Sequence, residues 1–544
     1  MKLLSPTFVF IISLIYSFNL TSAQPDYNRE LGLQKADQFK PELKVFKKTP
    51  VDIIEVLPSL GSFHGYQTRH LDDIENLKDY ELGPGDKVVL DFGEHLVGRL
   101  RFQVTTNGPA ADAPARIRFK FSEIPNEIIE PFDSYKGALS RAWLQDEVIN
   151  IDTLPSLVKL PRRYAFRYVQ LEVIATSLEF KLQIPEIYVD QVSAVDMADV
   201  PPLENSDPFI KRIDYISNKT LQDCMQTVYE DGPKRDRRLW IGDLRLQALT
   251  NYYTFNDKNL VKRSLYLLAG LANEDGMVPG TVFEAPDYHA QENYPLDYAL
   301  LFNSTIYDYA KATGDLSVAE DLWPVIKKQV ELALPYVKNG LYTDPGKKYW
   351  WLFIDWNKRL DHRVPMHGIM IYTFQHTWEI AEMLNKTDEL DDLPNVIEEM
   401  KQAARDNFFD KKSGVFVSGY SRQVSLASQA WMILSDVVSA KEGAEIFEKL
   451  ETMTNVQGPK APYLYHYVVD AMIKSNLKKE AKDLVLSYWG GMVRNGADTF
   501  WEVYDPYDPH LSPYNSVLVN SYCHAWSCTP SYFIRKYPEI FNTN

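Results

Sequence analysis

Between Asp231 and Asp243 the chain reads Asp231-Gly232-Pro233-Lys234-Arg235-Asp236-Arg237-Arg238-Leu239-Trp240-Ile241-Gly242-Asp243. That stretch packs three carboxylates, four cations and a Trp into thirteen residues. A solvated charge run has no need of Gly232-Pro233, Trp240 and Gly242, which fix backbone shape. Close Arg neighbours keep some carboxylates ionised and leave another free to shift its pKa. Three further loops share this character. One holds Phe283-Glu284-Ala285-Pro286-Asp287-Tyr288-His289 and ends at Tyr294-Pro295-Leu296-Asp297. A second holds Tyr349-Trp350-Trp351-Leu352-Phe353-Ile354-Asp355-Trp356. The last runs from Gly496 through Phe500-Trp501-Glu502 to Pro506 and leads to Tyr522-Cys523-His524-Ala525-Trp526-Ser527. A Trp or His in any one of these is explained well enough as core. Aromatics and carboxylates recurring in four loops describe a sugar cleft, with rings on the apolar pyranose faces and carboxylates on the hydroxyls. Asp297 and Trp501 are candidate substrate contacts on that pattern.

The elements that position these loops change character near residue 200. Before it the period is two: 87–92, 99–104, 116–121 and 168–173 alternate apolar and polar residues, as half-buried antiparallel strands do. A β-sandwich is expected from about 40 to 198, within a domain spanning 24–200. After 205 the period is 3.6. Asp207-Pro208 opens the first of about twelve helices. They are expected at 208–229, 243–255, 258–271, 295–312, 316–338, 365–385, 390–408, 424–437, 440–452, 461–475, 477–490 and 516–534. Short connections follow the even-numbered helices and longer ones the odd-numbered, so the helices form six hairpins, expected to close into a ring over 205–544. The long loops then share one end, where binding and catalysis usually sit. Closure makes the first and sixth hairpins neighbours and brings Asp236 and Glu502 to one cleft. Glycoside hydrolysis needs such a carboxyl pair, one protonated and one ionised.

The 544 residues allow two to four domains at about 100–200 residues each. Lys and Arg total 58 against 74 Asp and Glu, a net charge of −16. That sign repels phosphate backbones and anionic lipid, so nucleic acid and membrane surfaces are poor partners. Met1–Ala23 reads as a secretory signal: Lys2, a mostly apolar stretch from Phe8 to Leu20, then Thr21-Ser22-Ala23. An exported, periplasmic or secreted protein is expected, with no membrane span after cleavage. Three cysteines exclude a disulfide scaffold. Cys523 and Cys528, five apart, fall on different faces of the expected last helix. The sequons at Asn218, Asn303 and Asn385 look accidental, the first two lying in expected helices. No organic cofactor is expected. No Cys/His spacing suggests zinc; a bound calcium is possible, although no loop carries a calcium-ligand spacing.

The stretch from Asp231 to Asp243, together with Phe500-Trp501-Glu502 and His524-Ala525-Trp526-Ser527, resembles the α-L-rhamnosidases of glycoside hydrolase family 78. Leu90-Asp91-Phe92-Gly93, Val97-Gly98-Arg99-Leu100 and Arg163-Tyr164-Ala165-Phe166-Arg167-Tyr168 are similar to the β-sandwich that precedes the family's barrel. The resemblance covers about 85 to 535. It implies an N-terminal antiparallel β-sandwich followed by an all-α (α/α)6 barrel, and inverting hydrolysis of terminal α-L-rhamnose. Position by position, it puts the general acid at Asp236 and the general base at Glu502. Asp231, Arg235, Trp240 and Asp243 line the sugar subsite, Asp355 with Trp356 matches an Asp-Trp pair in the same cleft, and His524 bonds a hydroxyl. Three departures stand out. Asp236 occupies a position where the best-known members carry Glu. Arg238-Leu239 replaces a smaller, Gly-containing stretch, and no β-domain follows the twelfth helix. The competing expectations are a non-catalytic carbohydrate-binding relative and a hydrolase or lyase for another sugar on the same fold.

Overall fold

The computed structural model describes residues 27–108, 112–346 and 351–542. The expected signal, Met1–Ala23, lies outside them, as do Tyr349 and Trp350 of the aromatic loop. The side chain of Asn28 accepts from Leu31 N and caps helix α1 (Arg29–Gln38). Nine antiparallel strands follow among the described residues: β1 (Lys44–Lys48), β2 (Asp52–Pro58), β3 (Tyr66–Asp72), β4 (Lys87–Thr106), β5 (Ala115–Ser122), β6 (Asp146–Ile151), β7 (Ser156–Lys159), β8 (Tyr164–Ala175) and β9 (Leu182–Ser193). A short helix, α2 (Pro125–Ile129), follows β5. The strand order is β1-β9-β4-β8-β5-β6, with β2 and β7 also paired to β4 and β3 to β2.

The stretches 87–92 and 99–104, expected as separate strands, are the two halves of β4. Between Asp91 and Leu96 its register to β8 slips, and Gly93 there has φ +80°. An irregularity of this kind bends a strand. The first half pairs with β2, and the second pairs with β7 and β9. In hydrogen-bonding terms the expected sandwich is therefore one continuous sheet. It encloses a single apolar core that includes Leu90, Phe102, Phe119, Val169 and Val189.

The helical part comprises α3 (Pro208–Cys224), α4 (Ile241–Asn251), α5 (Lys258–Gly270), α6 (Leu296–Thr313), α7 (Ser317–Ala333), α8 (Arg363–Met383), α9 (Leu393–Asn407), α10 (Leu426–Leu434), α11 (Ala440–Glu451), α12 (Pro462–Lys474), α13 (Lys478–Arg494) and α14 (Pro530–Lys536). From α7 to α13 burial alternates along this series. Every residue of α4 and eight of nine in α10 are buried, against four of fifteen in α9 and four of twelve in α11. The buried helices pack in succession, α4 on α6, α6 on α8, α8 on α10 and α10 on α12. The C-terminal segment packs back on α3 and α4, so the two ends of the helical series meet. Helix α1, inside the stretch assigned to the sheet domain, packs on α5. There Arg263 Nη1 donates to Ala36 O at 2.7 Å.

The helix expected at 516–534 is a correction. Only α14 is α-helical there, preceded by 3-10 turns at Val517–Val519 and Ala525–Ser527. The intervening backbone bonds to distant loops instead of to itself. Glu502 N donates to Ser521 O, His524 N to Phe500 O and Ala525 N to Asp231 O. Ser, Tyr, Cys and His gain little as helix formers, so these long-range bonds decide the conformation. Cys523 is thus not helical; its sulfur lies 4.0 Å from that of Cys224. All three cysteines are free and buried.

Candidate active site

The loop between α3 and α4 is built around Asp231. Its carboxylate accepts from Asp236 N at 3.0 Å and Arg238 N at 3.2 Å, and its own N–H donates to Arg238 O. Gly232 is required: a Cβ there would lie 2.5 Å from Arg235 O. Arg237 takes the left-handed conformation, φ +64°. At the far end, a Cβ on Gly242 would lie 2.4 Å from the Tyr298 ring. This closed turn buries Arg235 and leaves Asp236 partly exposed.

Arg235 is the centre of the site. Its Nη2 donates to Glu502 Oε2 at 2.5 Å, Nη1 to Asp236 Oδ1 at 3.2 Å and Nε to Val519 O at 3.0 Å. The Tyr514 ring covers its guanidinium at 4.1 Å. One planar fork thus holds two carboxylates from distant parts of the chain. Glu502, 1% exposed, also accepts from the Tyr514 hydroxyl at 2.5 Å and Ser521 N at 3.2 Å.

Both carboxylates face a cavity of about 180 Å³. Asp231, Arg235, Trp240, Asp243, Trp356 and His524 line it with them. So do Leu139, Tyr298, Trp351, Phe353, Tyr514 and Trp526. Its walls are aromatic, yet two buried indole nitrogens among these side chains, Trp240 Nε1 and Trp356 Nε1, have no hydrogen-bond partner, and Asp243 Oδ1 and His524 Nδ1 stand 3.4 Å from each other. Burial pushes Asp231 up to about 8, with the Asp236 charge adding to it. Burial also raises Asp243 well above the carboxylate range, reinforced by Asp231 and Glu502. His524 goes the other way: burial, then the Arg235 charge, holds its ring neutral. At neutral pH the cavity therefore offers carboxyl O–H donors, indole N–H donors and a neutral imidazole. Such a set suits hydroxyl groups.

Three residues expected on a sugar stand elsewhere, and each is a correction. Asp297 is fully buried in α6 and accepts from Phe353 N at 2.8 Å, holding the aromatic loop from behind. Asp355 accepts from Asn357 N, Lys460 N and Ala461 N, joining that loop to the start of α12. Trp501 is buried against Phe63, His64, Tyr504 and Tyr522. In each case a buried amide or a ring stack claims the side chain that the loop composition had suggested for ligand. Conversely, Tyr514 precedes the misread helix, Tyr298 lies within α6, and Leu139 comes from the sheet domain with no signal in the sequence. Trp351, Phe353 and Trp526 belong to aromatic runs whose type was legible but whose direction was not.

Among the described residues, His95, Asp223 and Cys523 lie close enough together to hold a metal ion. Lys219 Nζ already donates to both Asp223 oxygens at 2.6 Å. The two His95 nitrogens face Asp223 and Glu123. Both Asp223 oxygens therefore already face a protein cation.

Residues 199–537 match the profile of the bacterial alpha-L-rhamnosidase six-hairpin glycosidase domain. Residues 50–191 match the glycosyl hydrolase family 78 alpha-rhamnosidase N-terminal domain. The chain belongs to glycosyl hydrolase family 78. Among solved structures, this family 78 chain is similar to a rhamnosidase from Klebsiella oxytoca with rhamnose bound. The two are 41% identical with a TM-score of 0.90, over 94% of this chain and 99% of that one. A family 78 rhamnosidase of Bacillus sp. GL1 shares the fold at 21% identity and a TM-score of 0.72, over 88% of this chain and 50% of that one. An alpha-L-rhamnosidase of Formosa agariphila is 23% identical over 294 residues. That match covers 50% of this chain and 29% of the curated relative, so less than a third of the latter's length is represented.

Proposed function

We propose that this glycoside hydrolase is an inverting exo-α-L-rhamnosidase, and that its helical part is an (α/α)6 barrel with α4, α6, α8, α10 and α12 on the inside. The observation that carries the reading is Arg235 gripping Glu502 and Asp236 at the wall of one small aromatic cavity. An inverting hydrolase needs its two carboxyl groups about 6.5–9.5 Å apart, with room for a water between; the shared guanidinium brings both carboxyl groups to the wall of the same cavity. In this reading Asp236 gives its proton to the glycosidic oxygen as the C1–O bond breaks. Glu502 takes a proton from the water whose oxygen bonds to C1 from the opposite face, and the anomeric centre inverts. The Trp and Phe rings pack the apolar faces of the pyranose, while Asp243, His524 and the two indole N–H groups bond its hydroxyls. A volume well below the about 300–1,000 Å³ of larger ligand sites suits a single terminal ring. The solved relative from Klebsiella oxytoca, with rhamnose bound, supports that sugar.

The test is the anomer first released from an aryl α-L-rhamnoside, followed by proton NMR. β-L-Rhamnose appearing ahead of mutarotation is the expected result. α-L-Rhamnose as first product refutes the single displacement. No turnover of the rhamnoside, together with an unsaturated, ultraviolet-absorbing product from a uronic-acid polysaccharide, marks a lyase, and binding without turnover marks a non-catalytic relative.

A further inference from the structure

A second concavity, about 380 Å³, opens beside the first between the sheet domain and the helical part, and Asp236 lines both. Asp236 is the group that would protonate the leaving oxygen, so the second space it lines adjoins the position of that oxygen. Four arginines line that space: Arg99 from β4, Arg163 at the start of β8, and Arg237 and Arg238 from the catalytic loop.

The acids around them are already engaged. Glu230 is bound by Arg163 Nη2 at 2.7 and 2.8 Å. Glu284 is bound by Arg263 and the Thr227 hydroxyl, and Asp236 by Arg235. Two guanidinium groups, those of Arg99 and Arg237, are left without a carboxylate among the described residues, and that of Arg238 has only a long contact to one. Among the described residues Arg99 has neither a side-chain hydrogen bond nor an ion pair. Arg237 donates only to the backbone carbonyl of Lys234. Arg238 lies over the Phe283 ring at 4.2 Å, and its ion pair with Asp236 is long, at 3.8 Å. Burial and the adjacent Arg163 charge pull the Arg237 pKa down to about 10, as happens to a cation short of its counter-ion. All this occurs in a chain of net charge −16, so the surplus is local rather than general.

We infer that this arginine-lined space is the leaving-group subsite and that it takes an anionic sugar, one bearing a carboxylate or a sulfate ester. Planar guanidinium forks match both oxyanions with paired hydrogen bonds, and Phe283 supplies an apolar floor. The inference rests on the rhamnosidase reading above.

The experiment compares kcat/KM on four substrates: an aryl α-L-rhamnoside, an α-L-rhamnosyl glucuronide, its carboxyl-reduced glucoside, and that glucoside sulfated at O6. The glucuronide, the sulfated sugar or both are expected to exceed the neutral disaccharide by about tenfold to a hundredfold. The two charged arms identify which oxyanion is preferred. The preference shrinks as salt approaches about 1 M, where charges are screened within about 3 Å. Arg99→Gln lowers the charged-to-neutral ratio severalfold, and the salt series on the unaltered protein gives the same information where that variant does not fold. Turnover of the aryl rhamnoside together with a neutral disaccharide cleaved as fast as the charged ones overturns the anion subsite alone. Failure on every rhamnoside removes the underlying reading, and the inference with it.

Discussion

Replacing Glu502 by Gln separates the chemistry of this carboxylate from its structural work. Glu502 accepts three hydrogen bonds: from Arg235 and Tyr514 at 2.5 Å, and from Ser521 N at 3.2 Å. Gln has the same shape. Its oxygen keeps Arg235 and Ser521, and its amide donates to the Tyr514 oxygen once that hydroxyl rotates. What is lost is one buried negative charge. Arg235 is not left bare, because Asp236 stands at 3.2 Å and the Tyr514 ring at 4.1 Å. The cost is therefore expected near that of a single charged hydrogen bond, about 1.5–3 kcal/mol, below the roughly 3–5 kcal/mol of stranding a buried ion. The fold survives with a melting temperature a few degrees lower.

Catalysis fares differently, since an amide cannot take a proton from water. General-base assistance is worth about 10²–10⁴-fold, so kcat on an aryl α-L-rhamnoside should fall by about 10³. Circular dichroism on the same preparation checks that the protein is folded. Azide adds a control: with Glu502→Ala, this small anion enters beside Arg235 and attacks without a base. Partial recovery of turnover, with a β-rhamnosyl azide as product, is expected, and a loss due to misfolding would not recover. A folded Gln variant turning over within tenfold of the unaltered enzyme would refute the role given to Glu502.

Tyr514→Phe removes the hydroxyl bond to Glu502 but keeps the ring over Arg235 and edge-on to Trp356. A hydrogen bond to an ionised carboxylate, about 1.5–3 kcal/mol, sets the expected loss at roughly ten- to a hundredfold in kcat with KM little changed, read from initial rates. Asp297→Asn tests the buried carboxyl behind the aromatic loop, which burial pushes up to about 7. Its folded pKa lies above the unfolded value of about 3.9, so the native state holds more protons between those limits. Stability therefore falls as pH rises from about 4 to 7, by at most roughly 4 kcal/mol from this group. Denaturant titrations across that window should show a flatter pH dependence for the Asn variant; an unchanged slope refutes the assignment.

The legible parts of this molecule are those governed by local rules. Helices α3 to α13 follow from apolar stripes and caps, such as Asp207 accepting from Phe209 N and Ile210 N at the start of α3. The meeting of Asp236 and Glu502 followed from hairpin counting. Where the reading failed, long-range hydrogen bonds outweighed local pattern. Segment 520–525 has helical periodicity, yet its amides are committed to Glu123, Phe500 and Asp231. Asp297 and Asp355 illustrate a degeneracy: a carboxylate in an aromatic loop satisfies buried amides as readily as a sugar's hydroxyls, and composition does not distinguish the two. Leu139 and Tyr514 meet through the bond from Ala138 N to Tyr514 O, a contact across the domain boundary that no single segment announces.

That boundary is itself part of the site. From α3 to α2 runs a buried file of alternating charges: Lys219, Asp223, His95, Glu123, Lys234 and Glu127. His95, Glu123 and Glu127 come from the sheet domain; Lys219, Asp223 and Lys234 come from the helical part. Glu123 also accepts from Tyr522 N at 2.8 Å, and Lys234 donates to Asn520 O at 2.9 Å. A buried ionic array is a weak source of net stability, because desolvation offsets most of its Coulombic gain. It is a strong source of register, because any slip strands a charge where no water reaches it. Here the register being set is that of Lys234 against residues 520–522. Lys234 directly precedes Arg235 and Asp236, while Ser521 N bonds to Glu502. The sheet domain thus fixes the distance between the two carboxylates from behind, and a rhamnosidase built this way needs both halves for its chemistry as much as for its fold.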